Sequence, residues 1–398
     1  MTVTVTSASI GAADEKQEHY NLIRQSARAL ADKFGDSYWS NCDKNKIYPW
    51  DFIKAFAENG WLGSMIPEEY GGMGLGLTEA AIMLHEVAAS GGGANAASAI
   101  HFYIFPPGPI IRHGSEEMKR AFLPKIASGE LLMCFGVTEP DAGTDTSRIK
   151  TFAKKEGGKW LINGRKVWIT NAGNAQKILV LARTSPRDDK KPFSGMTLFF
   201  TDLDRSRVEV TPIDKMARNA IDTNELLIEN LEARDEDVVG EVGKGFYYLL
   251  DGLNPERIVV AFEQIGLGRA ALNRAVTYAN ERIIFDRPIG QNQSIAHPLA
   301  DSWIRLQAAE MVAMKAAQLF DAGQECGAEA NAAKFLGTEA GFDACDRAMQ
   351  TLGGYCYATE YHVERYWREA RLLKIAPISQ TMVLNFIATK ILGLPKSY

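Results

Sequence analysis

The run Leu253-Asn254-Pro255-Glu256-Arg257-Ile258-Val259-Val260 places one carboxylate among apolar residues. Apolar surroundings raise a carboxyl pKa toward neutrality and make the group a usable proton acceptor. The same run also reads as a helix start, with Asn254 at the cap, Pro255 at the first helical position and Glu256 beside the positive end. A second stretch that can do chemistry spans Cys134 to Thr146. Its opening, Cys134-Phe135-Gly136-Val137, reads as a short buried strand that breaks at Thr138-Glu139-Pro140 and continues through Asp141-Ala142-Gly143-Thr144. Hydroxyls, a flexible glycine and free backbone N–H groups beside an apolar wall suit a flat, mostly apolar ligand with a polar rim. An ordinary strand ending in a Pro/Gly loop has the same composition. A third stretch, Lys159 to Asn171, alternates apolar and polar residues around Asn163-Gly164, the strongest short-range hairpin signal. It carries Trp168, whose indole reads on its own as a hairpin tryptophan packed in a β core.

Composition narrows the classes. The chain has 398 residues, 46% hydrophobic, enough for two or three domains with a substantial core. Its net charge of −5 argues against non-specific nucleic-acid binding. No apolar run reaches the ~20 residues of a membrane span. The opening MTVTVTSASIGAADEKQE has no arginine and no apolar core of signal-peptide length, and Pro395-Lys396-Ser397-Tyr398 does not match the peroxisomal tripeptide. A cytoplasmic location is the expectation. Cys42, Cys134, Cys326, Cys345 and Cys356 form no CxxC pair and are read as reduced, packed thiols. The six histidines (His19, His85, His101, His113, His297, His362) show no metal-ligand spacing, so no metal site is expected.

The elements that must position these stretches fall into three textures. Residues 1–132 have helical periodicity, with helices expected at Tyr20–Phe34 and near Trp50–Gly60, Leu77–Ser90, Ala94–Ile104 and Ser115–Ala127. The glycine-rich loop Ile66–Gly76 has no surrounding βαβ unit and reads as a connector rather than a phosphate cradle. Residues 133–240 are strands and turns, including Ile178–Thr184, Met196–Asp202, Val208–Ile213 and Thr223–Ile228, spaced as in a small barrel or sandwich. Residues 241–398 return to helices near 245–283, 295–322, 328–350, 360–371 and 379–392, a C-terminal bundle. The fold class is α+β, mostly α.

The loop Val137-Thr138-Glu139-Pro140 with Ala142-Gly143-Thr144-Asp145, and the strand Trp168-Ile169-Thr170-Asn171, resemble the VTEP-x-AGTD and WITN segments of the acyl-CoA dehydrogenase family. The helix–β–helix organisation is similar to that family's three-part architecture over nearly the full length, and the Ile66–Gly76 loop resembles its PEEYGG connector. The resemblance implies FAD, with Phe135, Val137, Thr138, Gly143 and Thr144 lining the flavin and its pyrophosphate arm, and Thr144 near the substrate's pantetheine. It implies that Trp168, Ile169 and Thr170 cover one flavin face. Glu281-Arg282-Ile283-Ile284-Phe285-Asp286-Arg287-Pro288-Ile289-Gly290, with Gln293, is similar to the family's ERxxFGRPIG run. There Arg282 and Phe285 would meet the FAD of a neighbouring subunit, although a helix C-terminus favours an arginine in any case. Asp286 stands where glycine is usual. Gln350-Thr351-Leu352-Gly353-Gly354 resembles the segment that meets adenosine across the dimer interface, and also reads as a glycine helix stop. Ser379 and Thr381 fall near the family's remaining adenosine contacts. A homotetramer, a dimer of dimers, is implied.

For the base, most of the family carries a glutamate in a YEGT-like motif where this chain has Pro377. A minority, typified by isovaleryl-CoA and long-chain dehydrogenases, places it earlier in an L-x-x-E-R setting similar to Leu253–Arg257. Glu256 is therefore the expected base, with Asn254 and Arg257 as substrate-side neighbours. In the family the backbone N–H at the Pro377 position helps polarise the thioester carbonyl, and proline has none. Three outcomes stay open: a shifted register in which Ile378 donates, weaker activation, or a different reaction. The expected reaction is α,β-dehydrogenation of an acyl-CoA to a 2-enoyl-CoA, with electrons passed to an electron-transferring flavoprotein. The alternatives are an oxidase, monooxygenase or lyase on the same fold, or a weakly catalytic acyl-CoA-binding scaffold. The acyl pocket floor is expected from Ala97–Phe105 and Tyr247–Leu250, where the bulk of His101, Phe102, Tyr103, Tyr247 and Tyr248 favours short, branched or cyclic acyl groups, the alternative being that these rings point into the core.

Overall fold

A computed structural model describes residues 7–396, with side chains from Glu15 onward. Parts of the two terminal segments inspected for targeting signals, residues 1–6 and 397–398, lie outside the described residues. The N-terminal part holds seven helices: α1 Ser7–Ala31, α2 Asp36–Asn45, α3 Trp50–Glu58, α4 Leu77–Val87, α5 Gly93–Ile104, α6 Gly108–His113 and α7 Glu116–Ala127. The first begins well before Tyr20, and α2 and α6 were not expected. Strands follow: β1 Met133–Gly136, β2 Phe152–Glu156, β3 Lys159–Thr170, β4 Lys177–Arg183, β5 Met196–Asp202, β6 Val208–Pro212 and β7 Thr223–Ala233. They form one sheet in the order β1-β4-β2-β3-β7-β6, with β5 on the other side of β4. The sheet curls, for Thr201 on β5 donates to the Glu232 carbonyl on β7 at 3.0 Å and Phe199 meets Trp160 of β3 at 5.6 Å. The C-terminal part is α8 Gly245–Glu281, the small hairpin β8 Ile283–Ile284 and β9 Arg287–Pro288, then α9 Gln293–Asp321, α10 Gly327–Leu352, α11 Val363–Leu373 and α12 Gln380–Phe386. This is the three-domain, mostly helical fold that the sequence implied, built on a hydrophobic core continuous through all three parts. All five cysteines are buried and free, and no described helix is long and apolar enough to cross a membrane.

Three local expectations are corrected. Asn163-Gly164 is not a hairpin turn, because β3 runs unbroken through it with a register shift against β7 between Ile162 and Gly164. A Cβ on Gly164 would lie 2.7 Å from the Thr151 backbone, so this glycine permits a close approach, while Asn163 pairs with Asn230 across the strands. The tight turn is instead at Gly157-Gly158 (φ 56° and 82°), the positive pair that a two-residue hairpin between β2 and β3 requires. Asn254-Pro255-Glu256 does not start a helix but sits inside the 37-residue α8. Pro255 cannot donate to the Asp251 carbonyl four residues earlier, and Arg112 of α6 donates to it at 3.2 Å, satisfying the freed acceptor. Finally, the expected helix over 379–392 is α12 followed by a short π-turn at Ile387–Ile391.

Candidate active site

Glu256 lies half-buried in the first third of α8. Burial raises its carboxyl pKa from an ordinary 4.5 to about 7; the positive charges of His101 and Arg257 pull it down, and Glu263 adds to the rise. A carboxyl poised there exchanges a proton near neutral pH. Asn254 and Arg257, one turn apart on the same helix, are joined by a hydrogen bond of 2.8 Å from Arg257 Nη1 to Asn254 Oδ1. Burial lowers the Arg257 pKa, with Glu256 opposing, and its Nε is buried without a partner.

The strand-end residues gather opposite α8. Phe135 of β1 packs edge-on against Phe105 at 5.6 Å. Phe105 in turn covers Gly252 of α8, where an added Cβ would come within 3.2 Å of its ring. Phe135 is thus brought to the helical face one turn before Glu256. Beyond β1, Val137 and Thr138 run alongside β3, held by the Val167 N–H donating to the Thr138 carbonyl at 3.0 Å. The N–H groups of Val137 and Thr138 take no partner among the described residues. Trp168 has φ 63° at an irregularity between Lys166 and Ile169, which turns its ring outward to 60% exposure. Ile169 is buried in the sheet, so only its backbone is available to a ligand. Thr170 is half-buried, whereas Gly143 and Thr144 lie on an exposed loop.

Beneath this loop is a pair that the sequence reading did not single out. Lys166 is fully buried, and its Nζ donates to Glu139 Oε1 at 2.9 Å and to the Val137 carbonyl at 3.0 Å. Glu139 also accepts the backbone N–H groups of Lys150 at 2.6 Å and Thr151 at 3.0 Å. Burial depresses the Lys166 pKa to about 8 against the upward pull of Glu139. Burial pushes Glu139 up, but Lys166 and the two N–H donors outweigh it and hold the carboxyl below its ordinary value. One ion pair therefore ties β3, the Thr138 loop and the Lys150 segment together.

A second set of expected residues meets elsewhere. Arg282, Phe285, Gly353 and Gly354 line one open cleft of about 780 Å³, with Tyr278, Tyr355 and Thr351. Phe285 and Asp286 are the two-residue turn of the β8–β9 hairpin, with φ 53° and 61°, and Phe285 is 92% exposed. Asp286 thus takes the left-handed conformation that glycine adopts more readily. The Arg282 guanidinium lies 5.5 Å from the Tyr355 ring centre and makes no ion pair among the described residues. A cation, open glycine backbone and aromatic walls fit an adenosine diphosphate group. Gln350 lines a neighbouring cleft with Gly353, and Gln293 begins α9 beside the hairpin. The Arg282 cleft includes none of the strand-end residues. Ser379 is the N-cap of α12, accepting the Met382 N–H, and Thr381 is exposed on the first turn; neither joins these two sets. Pro377 is exposed, and the Ile378 N–H takes no partner among the described residues.

Of the expected pocket-floor residues, His101 points to Glu263 of α8, its Nδ1 2.8 Å from Glu263 Oε1. Tyr103 is buried with an unpartnered hydroxyl. Tyr248 instead stacks on His113 at 4.2 Å and its hydroxyl accepts the Glu241 N–H, while Tyr247 is exposed.

Comparison with known proteins identifies the family of the whole chain. Residues 17–130, 134–231 and 243–392 match the models of the acyl-CoA dehydrogenase N-terminal, middle and C-terminal domains. An acyl-CoA dehydrogenase of Mycobacterium tuberculosis is 36% identical over 389 residues, 96% of this chain and 98% of the relative. The solved butyryl-CoA dehydrogenase of Megasphaera elsdenii superposes with a TM-score of 0.87 at 30% identity, covering 98% of this chain and 100% of that one. A chain from structural work on the electron-transferring flavoprotein of Acidaminococcus fermentans superposes with a TM-score of 0.88 at 30% identity, covering 98% and 100%.

Proposed function

Because the chain belongs to the acyl-CoA dehydrogenase family, whose members are FAD-dependent oxidoreductases, we propose that it converts an acyl-CoA thioester to the 2-enoyl-CoA with Glu256 as the base. The observation that carries this reading is a carboxyl with a pKa of about 7 on the helical face that Phe105 joins to Phe135. Glu256 takes the proton from the carbon next to the thioester carbonyl, so a C–H bond breaks and an O–H bond forms on the carboxylate. Bound FAD supplies a two-electron acceptor for the hydrogen leaving the next carbon. The work of the remaining residues is positioning, which the simultaneous loss of two hydrogens demands. The unpaired N–H groups of Val137 and Thr138 suit the polar rim of a flavin, and the exposed Trp168 ring suits its face. Phe135, Gly143, Ile169 and Thr170 complete that wall, the last two through backbone and hydroxyl. Thr144 reaches the pantetheine. Asn254 fixes Arg257 beside the base on the substrate side.

The Arg282 cleft, with Phe285, Gln293, Gln350, Gly353 and Gly354, receives the diphosphate and adenosine of a second copy's FAD, and Ser379 and Thr381 add to the adenosine contacts. This assignment makes the isolated protomer incomplete and the working form a homotetramer, a dimer of dimers. An electron-transferring flavoprotein is the proposed electron acceptor, and the cytoplasm the proposed location. The test is product analysis with an acyl-CoA panel. Loss of two hydrogens that requires an added electron acceptor supports dehydrogenation. Hydrogen peroxide formed in stoichiometric amounts without an acceptor would assign an oxidase instead.

A further inference from the structure

The region proposed for the acyl group carries a charged pair that a hydrocarbon tail does not need. His101 of α5 and Glu263 of α8 are both buried, and they share a hydrogen bond of 2.8 Å between Nδ1 and Oε1. Glu263 follows Glu256 by seven residues, so it lies two turns along the same face of α8, ~10 Å from the base. The His101 ring packs 5.8 Å from Phe105, the ring that touches both Phe135 and Gly252. Phe105 thus links the helical face of the base, the end of β1 and the His–Glu pair. The Nε2 atom of His101 takes no hydrogen-bond partner among the described residues and is not among the fully buried polar atoms, so it still meets open space. Burial disfavours the imidazolium, yet Glu263 and Glu256 outweigh it against the opposing Arg218 and hold the ring above its ordinary pKa. With Nδ1 given to the carboxylate, a protonated ring offers Nε2–H as a donor. An alkyl tail would leave that donor desolvated and unmet, which costs more than an absent bond.

We propose that His101 Nε2 hydrogen-bonds an uncharged oxygen, a hydroxyl or carbonyl, on the distal part of the acyl group, so that this chain selects oxygenated acyl thioesters over alkyl ones of equal length. This deepens, and rests on, the dehydrogenase reading above. An uncharged oxygen suffices as the acceptor, because Glu263 already supplies the ring's counter-charge at 2.8 Å.

The test uses the holoenzyme and length-matched CoA thioesters in three series: alkyl, hydroxy- or oxo-substituted, and carboxylate-terminated. Flavin bleaching under anaerobic conditions is followed in the parent, His101→Leu and His101→Gln. Binding is measured in parallel from the flavin absorbance change caused by the matching 2-enoyl-CoA products. The expected result is an oxygenated-over-alkyl preference of roughly 10- to 100-fold in kcat/KM and binding. His101→Leu removes it and His101→Gln, which keeps a donor, restores part. Equal use of alkyl and oxygenated series, preference for the carboxylate series, or a uniform fall for all thioesters in His101→Leu would overturn the proposal. If no thioester bleaches the flavin, dehydrogenation fails as a reading, while the binding arm still upholds or overturns the oxygen preference.

Discussion

Replacing Lys166 by methionine removes the ammonium from the buried pair under the Thr138 loop and keeps most of the side-chain volume. Lys166 is 0% exposed and Glu139 6%, so solvent screens their attraction little. Breaking such a pair by removing one partner costs about 3–5 kcal/mol. The two lost contacts are unequal in consequence. Glu139 keeps its backbone donors at Lys150 and Thr151, which places Lys166→Met toward the low end, about 3 kcal/mol. The reverse change, Glu139→Ala, strands a buried ammonium on a single carbonyl and frees two N–H groups, toward the high end, about 5 kcal/mol. The double variant should lose less than the sum, with a coupling of about 1–3 kcal/mol. Because Lys166 also holds the Val137 carbonyl, the freed loop should release flavin faster. The assay is chemical denaturation of all four proteins, with flavin retention read by fluorescence of the released cofactor. Losses under about 1 kcal/mol that add without coupling would refute this reasoning.

Three further outcomes follow from the charged groups. With a folded pKa of about 7 instead of 4.5, Glu256 ionises first in the unfolded chain, so ΔG falls as pH rises between those values and the cost is complete above about 7. Glu256→Gln should therefore stabilise the protein above pH 7 by roughly 1–3 kcal/mol in denaturation, discounted for its partial exposure, and a destabilisation would contradict the burial argument. Glu86 works in the opposite sense: burial raises it, but the His85 hydrogen bond, the charges of His85 and Arg28 and the Arg24 hydrogen bond lower it to about 2. Its contribution, about 3 kcal/mol, is complete above pH 4.5 and lost as pH falls toward 2. Glu86→Gln should flatten the acid side of the stability–pH curve, and an unchanged slope there would reject the assignment. Arg282→Ala should weaken FAD retention by roughly 10- to 100-fold, the worth of a charge-assisted contact to phosphate, and full flavin occupancy after dilution would exclude the cleft as a diphosphate site.

The texture of three parts was legible because it rests on local period and turn residues, which tertiary contacts seldom override over long stretches. The errors fall where a distant partner decides. Nothing near Pro255 announces that Arg112 will satisfy the carbonyl it frees, so a proline inside α8 resembled a helix start. Asn163-Gly164 had the composition of a turn, but Gly157-Gly158 had already reversed the chain, leaving the later glycine to accommodate Thr151. Alternation along β3 puts Trp160, Ile162, Lys166 and Trp168 on one parity. The irregularity after Lys166 then turns Trp168 out and Ile169 in. A lysine on the inward parity beside a loop glutamate is the sequence signal of this buried pair. The His101–Glu263 pair was less accessible, since 162 residues separate its members and only the seven-residue spacing from Glu256 marks the shared face.

The most direct measurement is an anaerobic titration of the purified holoenzyme with a panel of acyl-CoA thioesters, following flavin absorbance beside Glu256→Gln. The account predicts bleaching of the parent by at least one thioester. It also predicts a rate that rises as pH passes about 7, where the carboxylate forms, and a loss of ~10³-fold or more in the variant, which retains flavin but has no base. Equal bleaching rates in parent and variant would contradict Glu256 as the base.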